Sequence, residues 1–397
     1  MDAVPRSFII VNGIGDSVVA FRGALVRELV ARGHRVIVST PTPIERAAQD
    51  VEAEIRALGA ECVFSPLDRA GVNPLRERAT RAHFRALFNN IKPDGVFAAN
   101  PKAVFHAIPA ARAAGVARRV AMITGLGYAF TANTLRARIL RVLATKLYRG
   151  AMRDATTVLF QNQADRREFE RRGLINAAVT DAEVGVADRS NNQPTHGPAI
   201  KMVAGSGVDL LHFPQVPPPP VPVFLMVARL LGDKGVREFV AAARIVREKR
   251  SDCRFRLVGW IDANPSAIAV AELDAWVREG VIEYAGRLDD VRDELARCSV
   301  FVLPSYREGT PKSTLEALAT GRAIVTTDAP GCRETVERGI NGTLVAPRDA
   351  NALAEACLKF ATDARLREKM GAASRALAES RFDVRAVNAT IAEALGA

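Results

Sequence analysis

The sequence predicts an α/β protein of two open, doubly wound parallel sheets in tandem, and three observations lead there. Short apolar runs alternate with amphipathic helical stretches along most of the chain, the pattern of repeated β-α-β units. The alternation is broken once, at 210–228, by a charge-free stretch holding Pro214, Pro217, Pro218, Pro219, Pro220 and Pro222, too many prolines for a helix. The length of 397 residues, 48% of them hydrophobic and 25% charged, exceeds the roughly 250–300 residues at which single cores stop growing. The expected division is a first domain at 1–214, a proline-rich linker at 215–222 and a second domain at 223–382. A last helix at 383–397 is free to pack back on the first domain.

The first half opens with an apolar strand at 8–11, a glycine turn at Gly13 and Gly15, and a helical pattern from Ser17 that ends at Gly33-His34. A second strand at 36–39 completes a β-α-β unit. Further strand-like runs at 96–99, 120–124 and 157–160 alternate with helices rich in alanine and arginine. The polar stretch 177–198, with Asn191, Asn192, Pro194 and Gly197, reads as a loop. After the prolines come strands at 223–227, 255–258, 282–284, 300–303, 323–326 and 343–345. Helices are expected between them at 236–248, 272–278, 291–296, 311–319 and 334–338, and a long helical tail from 350, broken near Phe382-Asp383. Sheets of this kind bind ligands outside the carboxyl ends of their strands, so the expected site is a cleft between the halves.

Composition excludes several classes. No apolar run is suited to spanning a bilayer. The first five residues carry an aspartate and lead straight into a strand, unlike a cleavable leader, and the expectation is a cytoplasmic protein. Cys62, Cys253, Cys298, Cys332 and Cys357 are scattered, which argues against a disulfide framework or a structural zinc. Residues 1–214 carry 29 Lys and Arg against 19 Asp and Glu, a balance of +10, and residues 215–397 carry 26 against 25, or +1. The basic excess of the first half favours polyanionic partners without naming one.

The sharpest cluster of chemistry is Glu308-Gly309-Thr310-Pro311-Lys312-Ser313-Thr314-Leu315-Glu316 behind the strand at 300–303. With Thr310 as N-cap and Pro311 as first helical residue, the amides of Lys312, Ser313 and Thr314 would point out of the helix start, a cradle for phosphate. Two carboxylates would flank it, each able to accept the paired hydroxyls of a sugar. The alternative is a capped surface helix with an ordinary Lys312–Glu316 pair. Arg229 and Lys234 lie in the loop after the strand at 223–227, where two cations can clamp a diphosphate and offset the charge it gains on leaving; alone, they would be solvated charges.

These residues, with Gly259 and Pro330-Gly331-Cys332-Arg333-Glu334, resemble the family 4 retaining glycosyltransferases of the GT-B fold, and the resemblance covers nearly the whole chain. Asn264-Pro265-Ser266-Ala267-Ile268, Tyr306-Arg307-Glu308-Gly309, Thr124-Gly125-Leu126-Gly127 and Gly205-Ser206-Gly207-Val208-Asp209 look like the branch that extends glycans on undecaprenyl diphosphate. The resemblance implies two Rossmann-like domains and transfer of a hexose or N-acetylhexosamine from a UDP-sugar with retention of configuration, without metal or cofactor. It implies that Glu316 holds the ribose, that Glu308 meets the donor hexose, and that Arg229 and Lys234 take the diphosphate. Gly309, Thr310, Pro311, Lys312 and Ser313 would meet sugar and phosphates, and Gly13 and Gly15 would approach the donor from the first domain. Lys102, Thr124, Gly125 and Tyr128 are placed on the acceptor side. Many members carry a histidine where this chain has Thr124-Gly125-Leu126-Gly127, so no catalytic histidine is assigned and His106 is read as structural. The stretch 177–198 is longer than the branch usually has.

Between Thr134 and Arg153 stand Arg136, Arg138, Arg141, Lys146, Arg149 and Arg153 and no acidic residue. On a helical wheel Ile139, Leu140, Leu143 and Leu147 group opposite Arg138, Arg141, Arg149 and Arg153. The segment is expected either to pack its leucines into the first domain or to lie on an anionic membrane. A lipid-linked acceptor at the inner face of the plasma membrane favours peripheral contact through Arg138, Arg141 and Arg149. Rival readings remain: a soluble small-molecule acceptor, a dinucleotide enzyme, a nucleic-acid binder, or a non-catalytic nucleotide-sugar sensor. The dinucleotide fingerprint fails at Val18, where its third glycine belongs. The nucleic-acid reading lacks an aromatic platform, with four tyrosines and two tryptophans in the chain.

Overall fold

The computed structural model describes residues 4–68, 71, 73–126, 130, 135–176, 197–261, 264 and 266–397. It forms two units, Met1–Ser206 with Arg385–Ala397, and Gly207–Val384.

The first unit is built on a seven-stranded parallel sheet of β1 (Ser7–Asn12), β2 (Arg35–Pro41), β3 (Glu61–Ser65), β4 (Gly95–Ala99), β5 (Arg118–Ile123), β6 (Thr157–Phe160) and β7 (Ala199–Met202), in the order β3-β2-β1-β4-β5-β6-β7. Its central strands read as unbroken apolar runs because helices cover both faces. On one face Phe84 and Phe88 (helix Pro74–Ile91), Val104 and Ile108 (helix Pro101–Ala113), Tyr148 and Phe169 pack against Ile9, Val11 and Val96. On the other, Leu25 and Leu29 of helix Val18–Ala31 lie against Phe8, Ile10 and Phe97. That second face is completed by Val387, Ile391 and Leu395 of helix Val384–Leu395.

The second unit holds a six-stranded parallel sheet of β8 (Val223–Val227), β9 (Arg254–Val258), β10 (Glu283–Tyr284), β11 (Val300–Leu303), β12 (Ala323–Thr327) and β13 (Gly342–Val345), in the order β10-β9-β8-β11-β12-β13. The proline-rich stretch is strapped to this unit: the Val216 amide donates to Thr320 O, and Arg322 and Arg367 donate to Val216 O and Pro220 O, each at 2.8 Å.

Three local expectations are corrected. In place of the helix expected at 334–338 there is a single tight turn, Arg333–Thr335, after which Val336 is extended, and the Glu334 carboxylate reaches back to the Gly331 amide at 2.7 Å. The helical tail breaks twice, into Ala350–Thr362, Ala364–Arg381 and Val384–Leu395. The first break is at Asp363, whose side chain caps the next helix through the Leu366 amide. The third correction concerns helix Leu135–Asp154. Tyr148, Ala151 and Met152 take the core-facing side with Leu147 packed beside them, which turns Ile139, Val142 and Leu143 outward next to exposed Arg138, Lys146 and Arg149. Apolar and basic side chains therefore share the outer face. Among the described residues no helix is long and apolar enough to cross a membrane. Tyr128 and most of 177–198 lie outside the described residues.

Candidate active site

β8 and β11 are adjacent at the centre of the second sheet, and the chain leaves their carboxyl ends in opposite directions, the place where an open α/β sheet offers a crevice. From β8 the chain passes half-buried Arg229 into the tight turn Gly232–Lys234 and the helix Val236–Lys249. From β11 it passes 304–311 into the helix Lys312–Ala319. The two loops are tied together: the Tyr306 amide donates to Asp233 O at 2.9 Å, and the Tyr306 hydroxyl donates to the Glu238 carboxylate at 2.6 Å. Burial, reinforced by Glu238, pushes that phenol up to about 12.

This joint carries the main contact. Lys234 Nζ lies 2.5 Å from Glu308 Oε1, with both side chains about 15% exposed, at 15% and 14%. A cation and a carboxylate from separate loops are thereby held at one point, in a setting drier than the open surface, where their fields reach further.

The helix start differs from expectation by one residue. Pro311 is the N-cap, with no side-chain cap, and the Thr314 amide is engaged with Pro311 O at 3.1 Å. Thr310 is not the N-cap. Lys312 and Ser313 thus head the helix, and its first turn carries the positive end of the dipole. The Lys312–Glu316 pair weighed in the sequence is formed, at 2.5 Å, yet Glu316 is 7% exposed and so is more than a surface partner.

Two glycines hold the loops in place. Gly331 has φ +83°, and a Cβ there would stand 2.3 Å from Glu308 O, so only glycine lets the Pro330-Gly331 turn back the Glu308 peptide. The Glu308 amide donates to Pro330 O at 2.9 Å, and burial raises the Glu334 carboxyl above its ordinary value even though the Gly331 amide donates to it. At Gly259, φ +150°, a Cβ would meet Ala228 O at 1.8 Å, and the Tyr284 hydroxyl donates to Gly259 O. Ser266 O receives the Gly232 amide at 2.8 Å, which fixes the Lys234 turn from below.

The structure thus brings Lys234 and Glu308 into contact, with Arg229 and Pro311 to Glu316 on the same two strand ends. Gly13, Gly15, Lys102, Thr124 and Gly125 lie in the first unit, beyond the ends of β1, β4 and β5. There Lys102 is already engaged, its ammonium 2.5 Å from both Glu77 Oε1 and Gly71 O. Glu77 also meets His106 at 2.7 Å, which gives that histidine a structural partner. Sequence reading missed Asn100, whose side chain accepts from the Gly13 amide at 3.2 Å and donates to Thr124 Oγ1 at 3.1 Å. The signal was the Asn100-Pro101 pair closing an apolar strand.

Comparison with known proteins agrees with this architecture. A family model described as Glycosyltransferase Family 4 matches residues 23–180, and one described as Glycosyl transferases group 1 matches 221–363. The chain is 29% identical over 354 residues to the Campylobacter jejuni N,N'-diacetylbacillosaminyl-diphospho-undecaprenol alpha-1,3-N-acetylgalactosaminyltransferase, covering 89% of each. The structure of HepE from Anabaena in complex with UDP-glucose superposes with a TM-score of 0.74 at 18% identity, over 98% of this chain and 99% of that one. The pneumococcal O-GlcNAc transferase GtfA, in complex with UDP and GlcNAc, gives 0.69 at 12% identity, over 98% and 99%. Two Rossmann-like parallel sheets, a family match on each half and a full-length relative agree: the chain belongs to glycosyltransferase family 4, with the GT-B fold, and is a nucleotide-sugar-dependent glycosyltransferase.

Proposed function

We propose that the protein moves a hexose or N-acetylhexosamine from a UDP-sugar to a polyprenyl-diphosphate-linked saccharide, with retention of anomeric configuration, in surface-glycan assembly. The observation that carries this reading is the Lys234–Glu308 contact at the meeting of two strand-end loops, next to the head of the helix Lys312–Ala319. The UDP-bound neighbours support the nucleotide, and the Campylobacter relative, named for an undecaprenyl-diphosphate-linked acceptor, supports the acceptor.

In this reading Arg229 and Lys234 bind the diphosphate with the leading amides of the helix, Glu316 accepts the ribose hydroxyls, and Glu308 accepts hydroxyls of the donor sugar. Gly309, Thr310, Pro311, Lys312 and Ser313 line its sugar and phosphates. Gly13 and Gly15 meet the donor from the first unit, and Thr124 and Gly125 belong to the acceptor side. The acceptor hydroxyl attacks the anomeric carbon on the face the phosphate leaves. The bond from carbon to phosphate oxygen breaks with its electron pair on the phosphate, which takes the hydroxyl's proton, and UDP and the new glycoside result. Cations fixed beforehand stabilise the charge that grows on the leaving phosphate. The helix Leu135–Asp154 rests on anionic lipid through Arg138, Arg141 and Arg149, with Ile139, Val142 and Leu143 entering the interface.

Thermal stabilisation by a panel of UDP-, GDP- and dTDP-sugars tests the donor, followed by transfer to an undecaprenyl-diphosphate-linked saccharide with the product anomer read by NMR. UDP-sugars should stabilise the protein and the product should keep the donor's configuration. Stabilisation by another nucleotide series alone, or an inverted product, would overturn the reading.

A further inference from the structure

At the carboxyl ends of β1, β4 and β5, three adjacent strands at the centre of the first sheet, one side chain spans three loops. Asn100 Oδ1 accepts from the Gly13 amide after β1, and Asn100 Nδ2 donates to Thr124 Oγ1 after β5. Asn100 is the N-cap of helix Pro101–Ala113, a position at which asparagine ordinarily caps its own helix. It makes no such bond here, and its side chain is spent across the strand ends. Its backbone has φ 78° and ψ 150°, a region that is nearly glycine's alone. Backbone of this kind persists only where its surroundings enforce it, and such positions gather at functional sites. The fit is close, since a Cβ on Gly13 would stand 3.1 Å from Asn100 Cβ.

We infer that Asn100 is a positioning residue for sugar transfer, setting the height of the Gly13 turn against the Thr124 loop so that both are presented to substrate together. The inference rests on the proposed function, in which Gly13 meets the donor and Thr124 the acceptor. It adds to that function a residue, Asn100, and a coupling between its donor and acceptor sides. An unusual backbone held by two hydrogen bonds to separate loops is a device for fixing loop position, since neither loop can shift without breaking one of them. Displacement by about 1 Å can cost on the order of 100-fold in turnover.

The test uses the full chain with Asn100→Gly, which keeps the backbone conformation at no steric cost and removes the bridge. The Gly13 amide should then exchange its hydrogen about tenfold faster or more, while the melting temperature stays level or rises. Transfer from UDP-N-acetylgalactosamine or UDP-glucose to a polyprenyl-diphosphate-linked saccharide should lose about 10- to 100-fold in kcat, with donor KM little changed. Thr124→Val, which breaks one arm of the bridge, should lose less in kcat, and the double variant should lose no more than Asn100→Gly alone. Unchanged Gly13 exchange would overturn the bridge, and faster exchange with unchanged kcat, or purely additive losses, would overturn the positioning role. A lowered melting temperature that accounts for the lost activity would make Asn100 merely structural and would overturn the positioning role. If the wild-type chain transfers no sugar, the proposed function fails, and the exchange measurement alone decides whether the bridge exists.

Discussion

Lys234 and Glu308 meet at 2.5 Å across two loops that leave adjacent strands in opposite directions. Each fixes the other, so each variant has a distinct effect. Lys234→Ala removes a cation from the proposed diphosphate site and should lower kcat by about 100- to 1,000-fold. Its cost to stability should be about 1–2 kcal/mol, since Glu308 loses its partner while keeping some contact with water. Glu308→Gln keeps the shape and should hold the melting temperature within a few degrees while turnover falls. Full activity in a stably folded Lys234→Ala protein would remove Lys234 from the site.

Glu316 is buried at 7% exposure and bound to Lys312. Glu316→Ala should weaken UDP binding by about 10- to 100-fold, the range for a lost hydrogen bond to a charged group. Calorimetry on UDP alone, without the sugar, isolates the ribose role. An affinity equal to wild type would mean that the carboxylate serves the helix and not the nucleotide.

Gly331 and Gly280 both have positive φ, +83° and +69°, but a Cβ on Gly331 would strike Glu308 O while one on Gly280 meets nothing within 4 Å. Alanine should cost about 1–2 kcal/mol at either position for the left-handed backbone. Only Gly331→Ala should also displace Glu308 and lose donor binding. Equal donor affinity in the two variants would show that the Pro330-Gly331 turn does not hold the Glu308 loop.

Burial raises the Glu334 carboxyl above its ordinary value. The folded state therefore holds that proton more tightly than the unfolded state, and stability falls as pH rises above the unfolded value near 4.5. Glu334→Gln keeps an oxygen for the Gly331 amide and removes the charge. It should be more stable than wild type at pH 7, with the difference vanishing below about pH 4. Denaturant melts at both pH values check this, and a variant less stable at pH 7 would contradict it.

The outward face of helix Leu135–Asp154 combines Arg138 and Arg149 with Ile139, Val142 and Leu143. Arg138→Gln with Arg149→Gln should reduce sedimentation with anionic vesicles about tenfold or more, given about 1 kcal/mol per basic residue near the surface. Adding salt should weaken the wild type similarly, and neutral vesicles should bind neither protein. Unchanged co-sedimentation would end the membrane reading.

The sheets were legible because buried parallel strands write themselves as apolar runs, and 300–303 and 323–326 fall within one residue of β11 and β12. That Lys234 and Glu308 share one end of the second sheet was legible because each stands in a loop that follows an apolar strand, β8 or β11. Asn100 was not, because its meaning lies in Gly13 and Thr124, 87 and 24 residues away in the chain. The cap at Pro311 was misread by one position because Thr310 and Pro311 each suit their expected places locally. Which side of helix Leu135–Asp154 faces out was left open because a helical wheel shows which residues share a side and not which side the core takes. Tyr148 decides that, through its edge contacts with Phe105 and Phe169.

The helix Val384–Leu395 supplies Val387, Ile391 and Leu395 to the core of the first unit, although the whole second unit intervenes in the chain. During synthesis the first sheet waits with one face only partly covered, by helix Val18–Ala31, until the second unit has been made. The second unit needs nothing from that final segment beyond Val384 and has its full sequence earlier. The order of completion is thus the reverse of the order of synthesis: the half that emerges first is finished last.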